Sequence, residues 1–379
     1  MQIPLFAVVI LLTLLSPASA EQTRAPSALR TEVRVEVFAK GLEYPWSLQF
    51  LPDRRLLVSE RPGRLRIVAK SGVLSAPIAG VPKVAAEGQG GLLDVALAPD
   101  FATSGQIVMS YAEPREGRAN GTTVAKARLI AEGESGRLVD VTVIFRQMPA
   151  LAGGLHFGSR LAFAPDGALF VTLGERNQRE RAQDLANHLG KIVRINTDGS
   201  LPKENPFYGM SSKLNDIWSY GHRNVQSAAI HPVSGKLWTV EHGPRGGDEI
   251  NIPAIGRNYG WPVIGYGIDY SGAKIHETTA KEGMEQPLYY WRPSIAPSGM
   301  TFYSGRLFPA WQDNLFVGAL AGRALHRLVL DGENVVAEEI LLKDRGERIR
   351  DVRTGPDGAL WLLTDDPSGQ ILRLTPAAM

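Results

Sequence analysis

One phrase recurs six times along this chain, and it limits the possible folds more than any single motif does. Leu48-Gln49-Phe50-Leu51-Pro52-Asp53 precedes Leu56-Leu57-Val58-Ser59-Glu60, and Leu161-Ala162-Phe163-Ala164-Pro165-Asp166-Gly167 precedes Leu169-Phe170-Val171-Thr172. Versions of the same phrase begin at Val95, Ala228, Met300 and Val352. Each is a β-rich strand, a turn of the Pro-Asp-Gly type and a second β-rich strand, which is a hairpin. From Asp53 to Asp357 the phrases are spaced by about 61 residues on average, enough for four strands and a loop per unit. Hairpins that cannot bury both faces alone stack radially. The pattern therefore predicts an all-β, six-bladed β-propeller over residues 32–379. A two-sheet sandwich is the alternative, and six equivalent hairpins fit it poorly. Helical periodicity is not sustained anywhere; only residues 179–189 read as a short helix.

Residues 1–20 contain no charged side chain, are almost wholly apolar from Leu5 to Leu15, and end in Ser16-Pro17-Ala18-Ser19-Ala20. That is the pattern of a secretory signal peptide. It predicts export, with the periplasm as the expected location, and residues 21–31 read as a flexible lead-in. No later stretch approaches the roughly 20 apolar residues of a membrane span, so no stable membrane insertion is expected. The chain has no cysteine, so an exported fold must rest on its core, on bound metal or on closure of the ring. Lys and Arg number 41 against 39 Asp and Glu. That balance gives no argument for nucleic acid or anionic membranes.

The residues that carry chemistry flank the repeated phrases, where propeller loops converge on the central channel. Ahead of the third lies Gly153-Gly154-Leu155-His156-Phe157-Gly158. His156 is suited to proton transfer there, although alone it reads more readily as a structural histidine. Gln89 sits in the Gly-rich loop ahead of the second phrase. Arg223-Asn224 precede the fourth and could clamp a planar, oxygen-rich anion. Arg348 and Arg350 precede the sixth; at strand period they share a face, and an acidic ligand or Asp351 would be needed to hold them together. After the fourth hairpin comes Glu241-His242-Gly243-Pro244-Arg245-Gly246-Gly247-Asp248-Glu249-Ile250-Asn251. Glycines that permit unusual backbone, free carbonyls and two carboxylates form the oxygen-rich set that Ca²⁺ prefers.

These segments, with Asn258-Tyr259-Gly260-Trp261-Pro262 and Arg348-Ile349-Arg350-Asp351-Val352-Arg353-Thr354-Gly355-Pro356-Asp357-Gly358, resemble the soluble quinoprotein glucose/sorbosone dehydrogenases, most nearly the bacterial aldose sugar dehydrogenases. The resemblance runs from about Tyr44 to Leu374. It implies a propeller that holds pyrroloquinoline quinone (PQQ) over a Ca²⁺ and oxidises aldoses at C1 to lactones, passing electrons to an external acceptor. By position it implies His156 as general base and Gln89 beside the base and the cofactor. Arg223, Asn224, Arg348 and Arg350 would contact the cofactor. Carbonyls of Gly243 and Pro244 would hold the Ca²⁺, and Glu249 and Tyr259 would hold a further one. Gly265, Gly267 and Asp269 fall near another calcium position. Two departures stand out. Leu155 replaces an acid that many relatives carry before the base. Where better-known members place a lysine after the fifth phrase, this chain has Leu320-Ala321-Gly322-Arg323, with Arg323 as the expected substitute. The rival readings are a Ca²⁺-dependent propeller hydrolase or lactonase and a non-catalytic exported binding propeller; the expected assembly is a monomer or a homodimer.

Overall fold

The computed structural model describes residues 25–27, 30–133 and 135–377; the expected signal peptide lies outside them. Each repeated phrase is the inner hairpin of one sheet, and the six sheets form six blades. The inner strands are Pro45–Phe50, Leu92–Leu97, Gly158–Phe163, Val225–Ile230, Pro297–Phe302 and Ile349–Thr354. Each neighbours the next, and the last neighbours the first, so the ring is complete.

A blade buries both of its faces, which explains why its second strands are apolar on both sides instead of alternating. In Leu56–Glu60 every residue is buried. Successive side chains point to opposite faces: Leu57 packs toward Leu92 and Val95 of the next blade, while Leu56 and Val58 pack toward Trp361 and Leu363 of the previous one. Each of the six blade interfaces carries its own apolar cluster.

The ring is closed by Val33–Leu42, which pairs antiparallel with Gly369–Pro376 and so completes the blade begun at Ile349. The lead-in is also partly paired, since Ser27 bridges Glu338 and the Pro26 carbonyl accepts from the Glu338 N–H at 3.0 Å. The four-strand expectation fails in the first blade, which has three strands and an irregular edge where Ser75 and Ile78 donate to the carbonyls of Ile67 and Leu65. The expected helix over 179–189 shrinks to one 3-10 turn, Arg179–Gln183.

All six inner strands share one irregularity. The register with the second strand breaks near the strand's start, at Pro45/Ser47, Leu92/Val95, Gly158/Leu161, Val225/Ser227, Pro297/Met300 and Ile349/Asp351. A bulge re-aims the side chains it contains. The bulged residues include Trp46, Leu93, Gln226 and Arg350, which line a cleft at that end of the ring.

Bulged residues also bridge the channel. The Arg160 guanidinium, 1% exposed, lies 3.2 Å from Asp94 and 3.3 Å from Asp351 and stacks over Trp46 at 4.2 Å. Asp94 in turn accepts from the Leu161 N–H at 2.8 Å, and Asp351 from the Leu48 N–H at 3.1 Å, so each acid ties its blade to the next. Removing one partner of a buried ion pair strands the other. Arg160→Met should therefore lower the unfolding free energy by about 3–5 kcal/mol, measured by chemical denaturation. A loss below about 1 kcal/mol would show that the inner ring does not depend on this bridge.

Candidate active site

The cleft at the bulged ends of the inner strands has a volume of about 560 Å³, and its lining includes Gln89, Phe157, Gln226, Tyr270, Arg348 and Arg350. A smaller cavity of about 20 Å³ adjoins it and is bounded by Arg223, Gly243, Pro244, Glu249 and Tyr259. His242 lines both. Its Nε2 is 2.6 Å from the Pro297 carbonyl, and burial pulls its pKa down to about 3, with Arg223, Arg350 and His156 adding to the effect.

His156 does not itself line the cleft but directly precedes Phe157 and Gly158, which do; it is 6% exposed, with a left-handed φ of 50°. Neighbouring groups hold that strained backbone in place. The Gln89 side-chain oxygen accepts from the His156 N–H at 2.8 Å, while the Gln89 N–H donates to Gly154 at 2.7 Å. Gly174 is required underneath, because a Cβ there would lie 2.1 Å from the His156 carbonyl. Arg176 fixes the same loop through the carbonyls of Leu155 and Gly153 and the Asn120 side chain. The imidazole Nδ1 lies 2.8 Å from Glu175, a carboxylate 1% exposed. A carboxylate there accepts the Nδ1 proton and leaves the lone pair on Nε2, the arrangement of a base. Burial lowers the His156 pKa, Glu175 opposes it, and Arg223 lowers it further; the net shift is downward. His156, which Leu155 leaves without an acidic neighbour in sequence, thus has one in space.

Arg348 and Arg350 do share the cleft, but Asp365 holds them, not Asp351. Arg348 reaches Asp365 at 2.6 Å and Arg350 at 3.2 Å. Burial pushes the Asp365 carboxyl up, but Arg350, Arg348 and Arg61 outweigh it and leave it at about 2. Asp351 serves Arg160 and Arg353 in the channel, at 3.3 and 3.2 Å. Arg350 also donates to Gln226 at 3.3 Å, and its Nε has no partner. Arg323, the expected stand-in for a lysine, does not reach the cleft. It is exposed, donates to the Gly346 carbonyl at 3.2 Å and lines a separate depression behind Arg348. Its φ of 48° turns the chain that way.

The Arg223 guanidinium binds the carbonyls of His242 at 3.2 Å and Gly243 at 2.8 Å. Asn224 accepts from the Gly158 N–H at 3.1 Å, and its buried amide nitrogen has no partner. Asp248 and Glu249 do not form one ligand set, because they are successive residues of a strand, Asp248–Asn251, and face opposite ways. Asp248 accepts from the N–H groups of Gly243, Ile295 and Ala296 and from the Ser294 hydroxyl. Burial nevertheless pushes it up to about 6. Glu249 lies directly across the sheet from Glu241, and the Asn251 amide bridges the two at 3.2 and 3.1 Å. Burial, and then Glu241, raises the Glu249 pKa well above the usual carboxylate range. The Asn251 side-chain oxygen has no partner. Tyr259 spends its hydroxyl on Ile252 and Ala254 and stacks on His222 at 4.9 Å, which leaves its carbonyl as the atom available to a cation. Asp269 stays outside the cavity and caps its own turn at Ser271. Among the described residues no three His, Asp or Glu side chains cluster as a metal cage.

A ring of this kind, with a buried histidine–glutamate pair beside an arginine-lined cleft, defines a class, and comparison with known proteins identifies it. The family model for glucose/sorbosone dehydrogenases matches residues 42–373. The chain belongs to that family and is an oxidoreductase of the sugar dehydrogenase type. It is 50% identical to the aldose sugar dehydrogenase YliI of Escherichia coli K12, over 91% of this chain and 93% of that one. A crystal structure of a glucose dehydrogenase is 55% identical, with a TM-score of 0.88 over 90% of this chain and 99% of the other. The PQQ-bound aldose sugar dehydrogenase of Streptomyces coelicolor is 28% identical, with a TM-score of 0.74 over 92% of this chain and all of that one (100%).

The shift of His156 has a sign that can be tested. With its folded pKa below the unfolded value of about 6.5, the imidazole is neutral at pH 7. The acid limb of kcat/KM should therefore fall below pH 6.5, and any stability tied to the neutral ring is lost as pH drops through that range. Glu175→Gln removes the group that raises the pKa. It should move the limb to still lower pH and reduce turnover by less than His156→Ala does. A limb that stays put in Glu175→Gln would break the link between the two residues.

Proposed function

We propose that this chain oxidises aldose sugars at C1 to lactones in the periplasm, with PQQ and Ca²⁺ as cofactors and an external electron acceptor. The observation that carries the reading is the His156–Glu175 pair beside a cleft where Arg348 and Arg350 share one carboxylate. The likeness to a PQQ-bound aldose sugar dehydrogenase supports it.

The residues present fit these groups. Arg348 and Arg350 would hold carboxylates of PQQ, with the unpartnered Arg350 Nε and Asn224 amide nitrogen as further donors. The carbonyls of Gly243 and Pro244 would bind Ca²⁺, sharing or displacing the bond Arg223 makes to Gly243. Between Glu241 and Glu249, a second cation would take over the neutralising role that a proton must otherwise play, with Tyr259 and Asn251 offering oxygens. When bound, PQQ supplies a quinone that accepts hydride, and Ca²⁺ an electrophile beside it. His156 takes the C1 hydroxyl proton on Nε2, Glu175 orients the ring and steadies the positive charge it gains, and Arg223 offsets negative charge developing at the cofactor.

The protein should oxidise aldoses through an added dye only when PQQ and Ca²⁺ are both present, with one lactone formed per two electrons delivered. Full activity of a metal-free sample in chelator would rule out the calcium role. Loss of the base should cost about 10²–10⁴ in turnover, so a PQQ-loaded His156→Ala variant working at the parent rate would mean that another base operates. Ca²⁺ should also raise the melting temperature of the parent, and Glu249→Gln should shrink that gain.

A further inference from the structure

Beyond the residues assigned above, and resting on the PQQ reading, we propose that Arg61 is a third arginine for the cofactor's carboxylates, held in the same cleft as Arg348 and Arg350. Arg61 follows the second strand of the first blade, Leu56–Glu60, and lines the cleft with the other two arginines, Asp365 and Asp366. The cleft's acids are already engaged. Asp365 pairs with Arg348 and Arg350. Asp366 caps its own turn by accepting from the Ser368 N–H at 2.8 Å. Behind Arg61, Glu60 and Glu43 are both taken by Arg64, at 2.8 and 2.7 Å. Among the described residues, what Arg61 holds with its side chain is one carbonyl, that of Gly88 at 2.8 Å, and its buried Nε has no partner. Its charge is nonetheless felt by both Arg350 and Asp365.

Arg61 is also fixed in place. Its N–H donates to the Tyr44 carbonyl at 3.1 Å, and its own carbonyl accepts from the Leu92 N–H at 3.0 Å. The Tyr44 ring lies under the guanidinium at 4.6 Å, and the Tyr44 N–H is tied to the Asp366 carbonyl at 2.9 Å. Gly91 makes the close approach possible, since a Cβ there would meet the Arg61 carbonyl at 2.0 Å. A guanidinium positioned on several sides, with an unused buried donor and no carboxylate of its own, is prepared for an anion. Arg61 thus fills the role that Arg323 is turned away from.

The test is a titration of PQQ into the full-length protein at fixed Ca²⁺, followed by quenching of tryptophan fluorescence. The parent, Arg61→Ala, Arg61→Lys and Arg323→Ala are compared, with melting curves run alongside. Arg61→Ala should bind PQQ about 10- to 100-fold more weakly, the range expected for loss of a charge-assisted bond. Arg61→Lys should recover part of that, and the affinity of Arg61→Ala should depend less on salt. Arg323→Ala should bind within about twofold of the parent, the scale of an uninvolved surface residue. Equal affinity of Arg61→Ala and the parent would overturn the assignment, as would a rise in the sugar KM with PQQ affinity unchanged. If Arg61→Ala melts early, Arg61→Gln, which keeps a long polar side chain without the charge, decides in its place, and an affinity equal to the parent's would overturn the assignment. A parent that binds no PQQ would instead sink the cofactor reading itself, and this assignment with it.

Discussion

Everything in this molecule depends on the ring being closed by main-chain hydrogen bonds between its ends. Val33–Leu42 pairs with Gly369–Pro376, so the last blade holds both ends of the chain. Without that pairing the blades at the opening would each expose an apolar face, because no blade has a polar side. The cluster of Leu42, Leu48, Val58, Trp361 and Leu363 lies at that seam. With no cysteine to staple the seam, backbone pairing and apolar burial must hold it, helped in the channel by the bridge from Asp94 through Arg160 to Asp351.

Closure also fixes where chemistry can occur. Six inner strands converge on a narrow channel, and each is bulged near its start. The bulges break strict alternation just where the ring opens, so consecutive residues of one strand can serve different ends. Arg350 turns into the cleft while Asp351, one residue on, is buried in the channel. Hairpin geometry supplies the partners. An antiparallel second strand returns the chain to the end where the first began, and the residue that finishes or follows it arrives beside the bulge. In four blades an acid ends that strand or stands one or two residues past it: Glu60, Glu175, Glu241 and Asp365. Glu175 orients His156, Glu241 sits with Glu249, and Asp365 couples the two arginines.

This geometry explains which parts of the molecule were legible in the sequence. The six hairpins were readable because turn residues and apolar runs are local signals, and their even spacing reports the ring. The closing strand Val33–Leu42 was not, because its partner lies at the far end of the chain and nothing nearby marks it. The acids of the site were sought next to the residues they serve, at position 155 and at Asp351. The true partners, Glu175 and Asp365, lie one strand further along, 19 and 15–17 residues away. A signal was available in the acidic residue closing the second strand of several repeats, as in Val58-Ser59-Glu60, Thr239-Val240-Glu241 and Leu363-Thr364-Asp365. The adjacency of Asp248 and Glu249 suggests one ligand set, yet strand geometry sends adjacent residues to opposite faces. Arg323 stands close to where better-known members of the family carry a lysine, and a left-handed backbone at that residue takes it away from the cleft.

Arg348 and Arg223 each keep one short bond, to Asp365 at 2.6 Å and to the Gly243 carbonyl at 2.8 Å, but other bonds of the site's arginines are long, and that bears on how it accepts a charged ligand. Arg350 reaches Asp365 and Gln226 at 3.2 and 3.3 Å, and Arg223 reaches the His242 carbonyl at 3.2 Å. These are long for charge-assisted contacts, which favour about 2.7–2.9 Å. A carboxylate entering the cleft would exchange such bonds for shorter ones, and no bare guanidinium would have to be desolvated at that moment. The acidic side works in reverse. Glu241 and Glu249 face each other with one amide between them, and the cost of bringing two carboxylates together out of water appears as the raised pKa of Glu249. A divalent cation relieves that cost outright, whereas a proton relieves half of the charge. The same ring therefore presents an excess of donors on one side and of carboxyl oxygens on the other, with His242 lining the cavities of both. An anion and a cation bound in these places would each stabilise the field in which the other sits.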